Sequence, residues 1–193
     1  MNPLQKMKLA SLVKKVEKFH ELREAGNAGE RAEEVKAHLE LGRFYDEHKA
    51  DKEITYPLFR ALECYRAAAR LGDPDALYFT GERFLEIGKF WDEINSSVYA
   101  TDVQQSYANT AYKEAFHYLE AAEEMGHALA TRLHGMAYVN GWGVPADPPK
   151  GFGLVIDSID LADAWAQATK IFESLGLNTP AFYSALGARQ KGS

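Results

Sequence analysis

Cysteine is almost missing from this chain. Cys64 is the only one in 193 residues, so no intrachain disulfide can close, and zinc sites built on Cys-x-x-Cys pairs are excluded. Such usage fits a reducing compartment, and a cytoplasmic protein is expected. No apolar run approaches the roughly 20 residues of a membrane-spanning helix. Lysines interrupt the N-terminal MNPLQKMKLASLVKK, where a signal peptide needs an apolar block. Strict alternation of β-branched and polar residues is absent too, which argues against strands. Positive charge is not in excess: 22 Lys and Arg stand against 28 Asp and Glu, a net charge of −6. No chain-wide field therefore favours a phosphate backbone, and no nucleic acid partner is expected.

Catalytic constellations are equally scarce. His20, His38, His48, His117, His127 and His134 are dispersed, and the closest pair, His127 and His134, is seven residues apart, about 10 Å by helical rise. No metal site and no cofactor are expected. GWGVPADPPKG carries glycines but lacks the preceding strand of a dinucleotide-binding loop, so it reads as a turn. Cys64 falls on an inward helix position and reads as a buried, inert thiol.

What is present is helical periodicity along nearly the whole chain, and an internal repeat. At a shift of 54, Leu58 to Gly88 lies over Tyr112 to Trp142, matching Ala61 with Ala115, Tyr65 with Leu119, Ala68 with Ala122, Gly72 with Gly126, Ala76 with Ala130, Gly81 with Gly135 and Phe84 with Tyr138. At a shift of 39, Ala37, Gly42 and Tyr45 fall on Ala76, Gly81 and Phe84. The units read as helix pairs. Leu71-Gly72 closes the first helix, Asp73 caps the second and Pro74 takes its first position. Small residues at the contacts let backbones approach closely.

The segments RALECYRAAARLGDPDALYFTG and EAFHYLEAAEEMGHALATRLHGMAYVNGWGVPADPPKG resemble the Sel-one-like repeat, a relative of the tetratricopeptide repeat. Its signature tail is matched in order by Tyr138, Gly141, Gly143, Val144, Asp147 and Lys150. The resemblance covers residues 58 to 151, and residues 30 to 48 in part. Glu123 and Gly151 depart from it, and the first full repeat ends in LEIGKFWDE without the glycine tail. The implied fold is all-α, a right-handed α-solenoid of antiparallel helix pairs with end-capping helices. It forms a single domain over residues 1–193: an N-terminal pair at 1–50, repeats at 54–90 and 112–145, an insertion at 91–111, and a lengthened last repeat with a C-terminal cap at 146–193.

About 18 residues are inserted between the two full repeats. Thr101-Asp102 offers a capped start to one helix from about 102 to 125. Before it, Phe90, Trp91 and Tyr99 either tuck the insertion against the solenoid or present an interface. The last first-helix is lengthened, with 26 residues from Lys150 to Gly176 where the repeat needs 12. A final helix starting at Thr179-Pro180, with Phe182, Tyr183 and Leu186, would cap the array. Residues 4 to 25 form an amphipathic helix with Leu9, Leu12, Val13, Val16 and Phe19 on one face. The first 23 residues carry +4 and the remainder −10. This basic helix either packs against residues 30 to 48 or reaches an anionic membrane or acidic partner.

The resemblance implies a bacterial, non-enzymatic adaptor or scaffold that binds one or more proteins on its concave face. The alternatives are a secretion-system chaperone or immunity protein with one cognate partner, or a hydrolase. Subtracting the inward positions leaves Arg60, Glu63, Arg66 and Arg70 on the outer side of one first helix. His117, Glu120 and Glu124 take that side of the next. These rows either bind a partner or satisfy each other. Together with Trp91, Tyr99 and Tyr107 they are the expected partner-binding residues.

Overall fold

The computed structural model describes residues 1–26, 30–96 and 102–192. Among these residues the chain is all-helical, without a strand, and its helices pack against their neighbours in sequence. The elements are α1 (Pro3–Glu24), α2 (Arg31–Glu47), α3 (Pro57–Arg70), α4 (Pro74–Asn95), α5 (Asp102–Glu124), α6 (Ala128–Asn140), α7 (Pro148–Leu161), a 3-10 turn (Trp165–Gln167), α8 (Ala168–Ser174) and α9 (Pro180–Gly192). They form two compact units, Met1–Thr80 and Gly81–Ser193, divided inside α4.

Helix starts and stops follow the local chemistry. Asn2 and Gln5 close a capping box on α1. Gly72 takes φ +73°, and Asp73 Oδ1 accepts from the Ala76 N–H at 2.8 Å, so the Gly-Asp-Pro turn between α3 and α4 forms as the sequence indicates. Asp147 caps α7 by accepting from Lys150 N–H at 3.2 Å, and Gly141 ends α6 in the left-handed conformation.

One step of packing recurs three times. Gly42 of α2, Gly81 of α4 and Gly135 of α6, the glycines that align in sequence, each press against the next helix. A methyl group at Gly42 would stand 2.6 Å from the Tyr65 ring on α3. At Gly81 it would stand 2.8 Å from Leu119 on α5, and at Gly135 it would stand 2.8 Å from the Gly151 carbonyl oxygen and 3.0 Å from Val155 on α7. Each contact is closer than any side chain permits, so glycine there sets how near the helices lie. Around these contacts Ala37, Ala61, Tyr65 and Ala68 are buried in unit 1, and Ala115, Leu119, Ala122, Ala130 and Val155 in unit 2.

A second device accompanies it. Gly42-Arg43-Phe44-Tyr45-Asp46 and Gly88-Lys89-Phe90-Trp91-Asp92 are two versions of one pentapeptide. In each, the glycine lies under a tyrosine ring of the next helix and the aspartate accepts that tyrosine's hydroxyl. Tyr65 reaches Asp46 at 2.6 Å, and Tyr112 reaches Asp92 at 2.6 Å. Burial, followed by the Asp92 hydrogen bond, holds the Tyr112 phenol well above its ordinary range. The preceding cation lies over a further ring, Arg43 5.4 Å from Phe79 and Lys89 4.4 Å from Trp142.

Of the described residues of the insertion, 91–95 and 102–111 are helical. They lengthen α4 to Asn95 and start α5 at Asp102. Gly88 against Tyr112, Trp91 against Tyr107 at 5.2 Å, and Asn95 against Gln105 keep the two helices in contact along the added turns. Thr101, the expected cap of α5, lies outside the described residues. The long helix expected after Lys150 is corrected: α7 stops at Leu161, because Asp163 turns to φ +47° and the Trp165 indole donates to Asp160 at 2.7 Å. A non-glycine residue in the left-handed region breaks the helical run, and the chain resumes as a 3-10 turn and α8. In α9, Phe182 is fully buried, 4.7 Å from the Phe172 ring and 5.3 Å from Phe152, so this helix closes the core of unit 2.

At the other end, α1 packs on α2. Gln5 meets His48 at 3.0 Å, Lys8 lies 5.7 Å from the Phe44 ring, Lys15 meets Glu40 at 3.1 Å, and Arg23 bonds Glu34. Val16 is buried, whereas Leu9, Leu12, Val13 and Phe19 are half-buried. No helix among the described residues is long and apolar enough to cross a membrane.

The packing separates two glycine substitutions. Gly135→Ala should destabilise by about 1 to 3 kcal/mol, since its methyl meets backbone that cannot yield. Gly153→Ala, on α7 with nothing within 4 Å of its added methyl, should stabilise by about 0.5 to 1 kcal/mol. Denaturant unfolding measures both; equal effects would show that helix approach does not depend on Gly135.

Candidate functional site

In unit 1, Arg60, Glu63, Arg66 and Arg70 fall on the solvent side of α3, where the sequence places them. Arg60 donates to the Thr55 carbonyl at 2.9 Å and lies 5.8 Å from the Tyr45 ring. Arg66 pairs with Glu63 on its own helix at 3.4 Å, and Arg70 is exposed at the helix end. Phe59 continues the same face toward the start of α3, 63% exposed, and Tyr56 is 76% exposed. The spacing 59, 63, 66, 70 is one helical stripe, and Tyr56 precedes it as the left-handed N-cap residue of α3, φ +52°.

In unit 2, His117 and Glu120 stand 4.0 Å apart on α5, with Glu124 one turn on and exposed. Trp91 is half-buried against the cluster of Leu85, Ala108, Tyr112 and Ala115, while Tyr107 beside it is 52% exposed. Packing thus takes up much of Trp91 and leaves Tyr107 available. Tyr99 lies outside the described residues.

Cys64 is buried between α3 and its neighbours. Burial, followed by the Glu63 charge, pushes its thiol up to about 12, so little thiolate exists at neutral pH. His127 caps α6, its Nδ1 accepting from the Ala130 N–H at 3.1 Å, rather than sharing a helix face with His134. His134 is buried and its Nδ1 bonds Glu123, with Phe116 and Tyr138 packed around the ring. Among the described residues no group of three or more His, Cys, Asp or Glu is placed to hold a metal ion.

Dispersal of the histidines along the sequence conceals one site. A pocket of about 350 Å³ in unit 1 brings together His20 and Arg23 of α1, His38 of α2, and Glu63, Cys64 and Arg70 of α3. His38 lies 3% exposed, and neither of its ring nitrogens has a hydrogen-bond partner among the described residues. Its Nε2 is 3.9 Å from Glu34 Oε1, but that carboxylate is taken by Arg23. Burial is the main cause that lowers the His38 pKa to about 4, with the nearby His20 and Arg23 adding to it. The one signal in the sequence is a histidine on the buried stripe of α2, between Ala37 and Leu41.

No protein-family model matches the chain, and no curated protein sequence matches it.

The His38 environment has a consequence for folding. Its folded pKa of about 4 lies below the ordinary 6.5, so between those values the unfolded chain binds a proton that the folded protein refuses. Stability must therefore fall as pH is lowered through that window. In His38→Leu the dependence should be flatter between about pH 6.5 and 4, measured by denaturant unfolding; parallel curves for the two proteins would contradict it.

Proposed function

We propose that the chain is a protein-interaction module, a right-handed α-solenoid of antiparallel helix pairs of the Sel-one-like kind. The direction of the pairs is supported by contacts whose numbers fall on one helix as they rise on the other. Examples are 5 with 48, 15 with 40 and 23 with 34 for α1 and α2, and 138 with 150 and 132 with 158 for α6 and α7. The family reading is supported by the recurring glycine step and by the Asp147 and Lys150 tail. Lys150 donates to the Tyr138 hydroxyl at 2.6 Å.

The observation that carries the binding reading is the α3 stripe. Phe59 stays exposed on a helix whose other face is buried, Tyr56 is exposed at its N-cap, and arginines follow along the outer side. Aromatic and arginine side chains are the groups that supply most of the energy of protein interfaces. On the resemblance, the module serves as an adaptor in a bacterial cytoplasm; a secretion-system chaperone or immunity protein is the narrower form of the same reading. The high thiol pKa of Cys64 argues against a cysteine nucleophile and so against a hydrolase that uses one.

The test begins with capture and identification of the partner from native cells, followed by its affinity for a Phe59→Ser, Arg70→Glu double variant, both at exposed positions. Binding should weaken by at least about tenfold. The melting temperature should barely move, since exposed ion pairs contribute only about 0 to 1 kcal/mol. Unchanged affinity in a normally folded variant would remove α3 from the interface.

A further inference from the structure

The pocket beside His38 holds a buried histidine that neither packing nor the outer row of α3 accounts for. An imidazole almost wholly out of water normally finds partners for its nitrogens, because an unmade hydrogen bond in the interior is costly. His38 has none among the described residues, although it lines a pocket with room for a small molecule. The charged groups facing it are His20 and Arg23 from α1, Glu34 from its own helix, and Glu63 and Arg70 from α3; Cys64 is uncharged at neutral pH.

Two of these charges are already used within the protein, Glu34 by Arg23 and Glu63 by Arg66. Arg70 remains at the rim as a cation with an exposed side chain. His20 and the uncharged Cys64 complete the polar part of the wall, and the remainder is apolar: Val16, Ala67 and Leu71. One cation with a buried imidazole suits one negative charge. A dianion would meet the Glu63 carboxylate on the same wall, and a neutral molecule would leave the charged groups unused.

We propose that this pocket binds a small monocarboxylate. Its carboxylate accepts hydrogen bonds from His38 and from Arg70, and its apolar body lies against Val16, Ala67 and Leu71. The proposal does not rest on the partner-binding reading, since it turns on the buried His38 ring, although Glu63 and Arg70 belong both to the pocket and to the outer row of α3. It also fixes a sign for the pH dependence. In the empty pocket His38 stays neutral until about pH 4, and a bound carboxylate favours the protonated ring. Binding therefore takes up a proton, and affinity rises as the pH is lowered.

The experiment uses the whole protein with benzoate as the probe and benzamide as its neutral isostere. Calorimetry and imidazole nitrogen NMR are recorded near pH 5.5 and near pH 7.5, the range where a perturbed histidine takes up its proton. Benzoate should bind saturably, shift the His38 ring resonances, and bind more tightly at the lower pH, whereas benzamide should not compete. Arg70→Gln, a change at an exposed position, should weaken benzoate by about tenfold with folding intact. His38→Asn should remove the pH dependence, and the Arg70 variant decides the matter if that one does not fold. Absence of saturable benzoate binding at either pH, equal binding of benzamide, or full affinity in Arg70→Gln would each overturn the proposal.

Discussion

At Gly42, Gly81 and Gly135 a helix comes so close to the next one that a single added methyl would lie within 3 Å of its neighbour's atoms. The surrounding core depends on that distance. With helices this near, alanines suffice to fill the space beside each contact, and one large residue, Tyr65, Leu119 or Val155, covers each glycine. All three of these are almost completely buried. Dispersion between close-packed surfaces is small per atom pair and large in sum, so a contact line that can approach fully is worth more than one held apart by a few methyl groups.

The tyrosine clamps show how polar atoms are admitted to such tight contacts. A tyrosine pressed on a glycine carries its hydroxyl toward the far side of the helix, and an aspartate four residues after the glycine receives it. Buried phenols need a partner of this kind. His134 is treated likewise, through Glu123. His38 differs from His134 in that neither of its ring nitrogens is bonded among the described residues, the carboxylate nearest to it being bound by an arginine instead. A buried imidazole with no hydrogen-bond partner among the described residues, beside a pocket, is a cost that neither helix packing nor capping explains, which is why it is assigned to ligand binding.

Much of the frame could be read from the chain. The Gly-Asp-Pro turn at 72 to 74, the start of α5 at Asp102 and the glycine alignment carry local chemistry that acts over three or four residues, and they stand in the structure where the sequence puts them. The break after α7 was illegible because LADAWAQ has helical character throughout. The left-handed turn at Asp163 comes from no glycine, and it is the contacts around Trp165 and Asp160 that accompany it. The repeated GRFYD and GKFWD pentapeptides are visible in the chain but lie 46 residues apart, off both shifts set by the alanines, so an alignment keyed to alanine passes over them. The His38 pocket draws on three helices, and residues 20, 38, 64 and 70 have no common period. The outer row of α3 was half legible: the arginines follow by subtraction, but the exposure of Tyr56 and Phe59 depends on how other elements pack, which local sequence does not carry.

The dependence on close approach is measured most directly by a double-mutant cycle across one contact, with Gly81→Ala, Leu119→Ala and the pair followed by equilibrium unfolding. The added methyl at residue 81 would stand 2.8 Å from Leu119 Cγ and 2.9 Å from its Cδ2, so it should be costly with leucine opposite and cheap once leucine is cut back. The expected result is a coupling energy of about 1 kcal/mol or more between the two changes. Additive effects, with Gly81→Ala equally costly in both backgrounds, would contradict the claim that glycine is required by the helix it faces.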